Sequence, residues 1–269
     1  MKKVNNRIIK GVLCLVTLST MLIGQNNILT KGYAQDTYSE VAGESHTGSF
    51  SVDSLTLQPG ATTTSINLNW YAPAGTTVAK IQFGDQTYDV TAKPLTSPTE
   101  IKSDKYTDTG KLVCKTTISN LKPDTKYTYY ISNDGGTTWS KEYNYTTPSS
   151  NEFTFGFTSD PQIKENKEIN SEGWNPSDET NQTGWATMME TLEKQGVDLV
   201  VSAGDQVEDQ NWGKSSEYEA FFAPEEMTSI PYAPAVGNHD RHYMFADHFN
   251  LPNQMESLTE VKTTFRGQN

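Results

Sequence analysis

The chain has 269 residues, with 21 Lys and Arg against 33 Asp and Glu, a formal charge of −12, and two cysteines. That acidity excludes a nucleic-acid backbone or an anionic lipid surface as the main partner, because like charges repel. The length suffices for two domains of ordinary size.

The chain opens with Met1-Lys2-Lys3, Arg7 and Lys10, continues through an apolar run from Gly11 to Gly24, and reaches Gly32-Tyr33-Ala34 before Gln35. This order of basic, apolar and small residues predicts a secretory signal over residues 1–34, cut after Ala34, and hence a secreted protein. The apolar run is shorter than the roughly 20 residues a spanning helix needs and contains Thr17, Ser19 and Thr20, which argues against a stable membrane anchor. Cleavage removes Lys2, Lys3, Arg7, Lys10 and Lys31 and no acid, leaving 16 basic against 33 acidic side chains and a formal charge of −17. Cys114 then stands alone, so no intramolecular disulfide forms and stability rests on packing.

From Phe50 to Thr147, short alternating runs are separated by Gly and Pro. Ile66, Leu68 and Trp70 share one face of a strand, and Val78 to Phe83 is a second apolar stretch. These read as half-buried strands of an antiparallel sandwich. In Leu121-Lys122-Pro123-Asp124-Thr125-Lys126-Tyr127, a Tyr just inside a strand follows a Pro turn, which predicts a tyrosine corner. Asn133-Asp134-Gly135-Gly136 reads as a hairpin turn before a strand around Trp139 to Tyr145. His46 is read as solvated, and the sandwich is expected to unfold as a unit of its own.

After Asn151 the pattern changes. Phe153–Phe157, Val197–Val201 and Tyr232–Val236 are apolar runs fit for buried strands. Between the first two, Trp185, Met188, Met189 and Leu192 form a helical stripe stopped at Gly196. Between the last two, Tyr218, Phe221 and Phe222 keep helical spacing until Pro224. Residues 171–182 read as a surface loop. The β-α-β-α-β order predicts a mostly parallel sheet covered by helices.

Each of these strands runs into a polar motif: Ser159-Asp160-Pro161-Gln162, Gly204-Asp205-Gln206-Val207-Glu208-Asp209, and Gly237-Asn238-His239-Asp240. Ligands of open α/β sheets bind outside the carboxyl ends of the strands, so the three should converge. Any one alone is equally well a helix cap or a turn; three together point to a functional site. Asp160 and Asp205 offer carboxylate oxygens, and Gln162 and Asn238 offer amide oxygens, donors suited to hard or borderline divalent metals. Gly204 and Gly237 let the backbones approach closely. Two metals about 3.5–4 Å apart need a bridging carboxylate, and Asp205, after the central strand, is placed to bridge. His239 is expected to reach a substrate phosphate or leaving oxygen, with Asp240 orienting its imidazole. His242 and His248 read as loop or helix-surface residues. Glu208 and Asp209 read equally as pocket acids and as exposed acids.

These three motifs, in this order at strand ends, resemble the first three motifs of calcineurin-like metallophosphoesterases. The preceding sandwich, with its Leu121–Tyr127 corner, is similar to the N-terminal domain of purple acid phosphatases. The resemblance covers nearly all of residues 45–269. It implies an all-β fibronectin-III-like sandwich over residues 45–147, followed by the first part of an α/β metallophosphoesterase domain over residues 151–269. It further implies an acid-phosphatase-like hydrolase of phosphate monoesters that uses two divalent or mixed-valence ions such as Fe, Zn or Mn. By family role, Asp160 binds the first metal with Gln162 beside it, Asp205 bridges, Asn238 binds the second, and Asn238 and His239 meet the phosphate.

Three positions depart from the family pattern. Gln162 stands where His is frequent. Glu208 stands where purple members carry Tyr, so an iron-tyrosinate centre is not implied and the metals stay open. The later histidine motifs do not occur before Asn269, so the sequence reads as truncated and as a poor or inactive phosphatase by itself. Phosphodiester or nucleotide hydrolysis on the same core, and a non-catalytic extracellular binding module, are the alternative readings. The sandwich leaves room for an extracellular or cell-wall partner.

Overall fold

The computed structural model describes residues 39–98, 106–150, 152–164, 177–208, 215–240 and 242–252. The expected signal sequence, its cleavage point and Asp209 lie outside the described residues.

The first domain contains β1 (Ser39–Val41), β2 (Asp53–Pro59), β3 (Ile66–Pro73), β4 (Ala79–Phe83), β5 (Gln86–Val90), β6 (Ala92–Pro98), β7 (Tyr106–Ile118), β8 (Thr125–Ser132) and β9 (Tyr143–Thr146). One sheet is antiparallel in the order β2-β3-β7-β6. In the other, β8 is central, pairing antiparallel with β4 and β9 and parallel with β1, while β5 extends the β4 edge. Alternation along β3 sends Ile66, Leu68, Trp70 and Ala72 between the sheets, against Leu57, Ile81, Phe83, Tyr129 and Ile131. The tyrosine corner is present: the Lys122 N–H donates to the Tyr127 hydroxyl at 2.8 Å. Cys114 is buried, and burial pushes its thiol up to about 12, so it is a packing residue.

Two local expectations in this domain are corrected. The turn at residues 133–136 does not lead straight into a paired strand, since β9 begins only at Tyr143. The Asp134 carboxylate accepts bonds from the Ser132 hydroxyl and from the Thr138 N–H and hydroxyl, ordering a wider loop in between. His46 is half-buried rather than solvated; its ring stacks on Trp139 at 4.3 Å and bonds Gln82 Oε1 at 2.6 Å.

The second domain contains β10 (Phe155–Thr158), α1 (Ser177–Lys194), β11 (Leu199–Ser202), α2 (Ser215–Phe221), a 3-10 turn (Glu225–Thr228), β12 (Tyr232–Ala233) and α3 (His242–His248). The strands form a parallel sheet in the order β10-β11-β12, so β11 is central. Trp185, Met189 and Leu192 bury the predicted stripe of α1. Gly196, at φ +65°, ends the helix by donating to Glu193 O while Val197 N–H reaches Leu192 O. The helix starts earlier than the sequence pattern shows, since residues 177–182, read as loop, belong to α1. The third strand is shorter than expected. Pro234 has no N–H for the ladder, and Val236 is 47% exposed.

The two domains share a core. The outward face of β3 is covered as completely as its inward face, and Tyr71, Leu95 and Val113 of the sandwich pack with Trp185, Tyr218, Phe221, Phe222, Tyr232 and Phe249. Asn250 fixes the joint. Its N–H donates to Gln58 Oε1, its amide donates to Leu68 O and Thr116 O, and its carbonyl accepts from Asn67 Nδ2. Lys115 of β7 donates to the Ala246 and Phe249 carbonyls at the end of α3, where a cation complements the helix dipole. His248, expected at a surface, is fully buried in this joint, bonded to the Tyr71 hydroxyl at 2.5 Å. This shared packing argues against the expectation that the sandwich unfolds as a unit of its own.

Candidate metal centre

The loops after β10 and β11 run side by side beyond the sheet. Asp160 N–H donates to Gly204 O, Gln162 N–H to Asp205 O, Ile163 N–H to Gln206 O and Glu208 N–H to Ile163 O. The loop after β12 joins them through Ala235 N–H to Ser202 O and His239 N–H to Asp205 Oδ1 at 2.8 Å. Asp160, Gln162, Asp205, Asn238 and His239 thus come from loops that touch one another.

Three of these residues, Asp160, Gln162 and Asp205, have φ of +56°, +44° and +53°. Left-handed backbone at a non-glycine residue costs on the order of 1–3 kcal/mol and persists only where the surroundings enforce it. Here the enforcement is visible in the interloop bonds. Gly204, at φ +120°, lies so close to the third loop that an added Cβ would sit 2.7 Å from Gly237 Cα. A Cβ on Gly237 would sit 1.9 Å from Asp205 Oδ1, so the absence of a side chain there makes the seat for that carboxylate.

Asp205 is 7% exposed, Gln162 and His239 are half-buried, and Asp160 and Asn238 are exposed. The His239 ring is oriented by the Glu208 carbonyl, which bonds Nδ1. A carbonyl only accepts, so Nδ1 carries the hydrogen and Nε2 is the ring nitrogen without one. The expectation that Asp240 orients this ring is corrected. Asp240 Oδ1 accepts from Gln206 N–H at 3.1 Å and from the Tyr218 hydroxyl at 3.2 Å, and Oδ2 accepts from Gly237 N–H at 2.9 Å. Burial raises its carboxyl to about 6.

The oxygens of Asp160, Gln162, Asp205 and Asn238 are donors suited to part of a divalent-metal shell, and the space that a Gly237 side chain would fill is taken by the Asp205 carboxylate itself. Among the described residues, no group of three or more His, Cys, Asp and Glu could hold a metal ion by itself. His242 begins α3, and His248 is turned into the domain joint, away from any ligand role. Sequence reading missed Tyr218, which lies in a helix outside every motif, and Lys164, whose Nζ is 3.8 Å from the half-buried Glu208 carboxylate. Nothing in the spacing of either residue signals the site.

Residues 52–147 match the family model of the purple acid phosphatase N-terminal domain, and residues 153–266 match that of the calcineurin-like phosphoesterases. No curated protein matches the chain. A purple acid phosphatase from yellow lupin (Lupinus luteus) seeds has a similar structure, with a TM-score of 0.57 and 19% identity over 75% of this chain. The chain spans 41% of the lupin protein's length, and at that identity the likeness concerns the fold. Residues 52–147 and 153–266 therefore join a purple acid phosphatase N-terminal domain to a domain of the calcineurin-like phosphoesterase family.

Proposed function

We propose that the chain belongs to a secreted, metal-dependent phosphoesterase that hydrolyses phosphate monoesters. The observation that supports this most is the seat of Asp205: a buried carboxylate on the central loop, held in a strained backbone against Gly237, with the loop of Asp160 and Gln162 on one side and that of Asn238 on the other. Asp160 with Gln162 would hold one metal, Asn238 a second, and Asp205 would lie between them. Bound there, the ions would supply an activated water and charge neutralisation for the phosphoryl group. His239 holds its proton on Nδ1 against Glu208 O and so presents Nε2 to a phosphoryl or leaving-group oxygen. The His239 N–H fixes Asp205 Oδ1, which keeps the carboxylate turned toward the neighbouring loops.

Export is supported by the order of basic, apolar and small residues over the first 34 positions. Among the described residues no helix is long and apolar enough to cross a membrane. The test is hydrolysis of p-nitrophenyl phosphate against bis(p-nitrophenyl) phosphate by the native gene product loaded with Mn²⁺, Zn²⁺ or Fe²⁺. Metal-dependent preference for the monoester is expected. Preference for the diester would move the assignment to a phosphodiesterase, and no metal-dependent turnover of either would refute it.

A further inference from the structure

The buried carboxylate of Asp240 grips the backbone at two informative points. One is the N–H of Gln206, the residue after Asp205; the other is the N–H of Gly237, the residue before Asn238. It thus ties together the loops that carry the central and third-strand ligands, next to the bond from Gln206 Nε2 to Ala235 O. The third bond to Asp240 comes from the hydroxyl of Tyr218, which is completely buried in α2. The Tyr218 ring is itself held, stacked on His248 at 3.8 Å and 17° and packed edge-on to Phe249. His248 in turn bonds the Tyr71 hydroxyl, which projects from the outer face of β3 in the sandwich.

We propose that Tyr218 and Asp240 are positioning residues of the phosphoesterase site, and that the sandwich takes part in that site through Tyr71 and His248; this rests on the phosphoesterase reading above. The physical need is clear from the backbone. Asp205 sits at φ +53°, a conformation that relaxes unless neighbouring groups hold it. One restraint on its loop, the Gln206 N–H, ends on Asp240, the neighbouring Gly237 N–H ends there too, and the orientation of Asp240 depends on a Tyr ring that has no room to turn. The sandwich is then a buttress for the metal loops as well as a domain in front of them.

The test uses the 269-residue chain and the variants Tyr218→Phe, Asp240→Asn and Tyr71→Phe, with the exposed Glu190→Gln on α1 as control. In metal-free protein, amide exchange at Gln206 and Gly237 is followed by NMR and should accelerate about tenfold in Tyr218→Phe and Asp240→Asn. Mn²⁺ affinity, read by EPR, should fall about tenfold in the same variants, the scale seen when an orienting partner behind a ligand is lost. Tyr71→Phe should move both readouts in the same direction by less, and the control should move neither. Tyr218→Phe keeps every ring contact and loses one hydrogen bond, so it should still fold, with its melting temperature lowered by a few degrees at most, and exchange at core amides remote from Asp240 should change far less than at Gln206 and Gly237. Unchanged exchange at both amides in folded Tyr218→Phe would overturn the proposal, as would unchanged Mn²⁺ affinity. If the unmodified chain takes up no Mn²⁺, the metal-site reading fails for these residues, and amide exchange alone decides whether the clamp exists.

Discussion

Acid should loosen the joint between the sandwich and the α/β domain, because His248 is buried there as a neutral ring. Burial and the nearby Lys115 push its pKa down to about 3. Around it stand Tyr71 from β3, Tyr218 from α2 and Lys115 from β7, and none of them supplies a negative charge to an imidazolium. In the unfolded chain the ring titrates near its usual value of about 6.5. A base whose folded pKa is depressed contributes full stability above the unfolded pKa and loses it as pH falls from there toward the folded value. At pH 5 the loss is about 2 kcal/mol, from the one and a half pH units below the unfolded value at about 1.4 kcal/mol each. Burial raises the carboxyls of Asp198, Asp247 and Glu193, which gives them the opposite sign, so the raw pH profile mixes both effects. The comparison that isolates the histidine is with His248→Phe, which keeps a ring against Tyr218 and cannot be protonated. Urea unfolding of both proteins at pH 7.5 and pH 5 should show the unmodified chain losing about 2 kcal/mol more than the variant. An equal loss in both would mean that His248 is not the acid-sensitive group and that its buried, neutral state is misread.

Gly237→Ala should displace Asp205, since its Cβ would sit 1.9 Å from Oδ1, and Mn²⁺ uptake should fall sharply; Gly184→Ala, with nothing within 4 Å, should instead stabilise α1 by about 1 kcal/mol in thermal unfolding. Asp205→Asn should cost metal affinity and phosphatase rate far more than Glu208→Gln, because bridging two cations needs the negative charge of Asp205 whereas Glu208 is at best a neighbour; equal losses, measured together, would move the bridging role elsewhere. Tyr127→Phe leaves the Lys122 N–H without its acceptor and should destabilise the sandwich by about 1 kcal/mol in urea unfolding. Residues 45–147 expressed alone should melt below the same residues in the whole chain, since Tyr71, Leu95 and Val113 lose their cover; equal melting would contradict the shared core.

Sequence alone sufficed for the elements whose cause is local. Period-two alternation marked Ile66, Leu68 and Trp70, the Pro turn before Tyr127 marked the corner, and the stripe from Trp185 to Leu192 with Gly196 marked α1 and its end. The three strand-end motifs were legible for the same reason: each is contiguous, and a parallel sheet delivers such loops to one edge. What depended on distant partners was not legible. The outer face of β3 reads Asn67, Asn69, Tyr71, a polar pattern indistinguishable from a solvated face, and only the packed second domain shows it buried. Asp240 belongs to a motif, yet its carboxylate turns from His239 to two backbone N–H groups and a Tyr from another helix. His248 reads as surface and becomes core because α3 lies against the sandwich. A side chain's neighbours along the chain set its local conformation, but burial and hydrogen-bond partners are settled by which faces of separate elements meet, and that is a property of the tertiary structure.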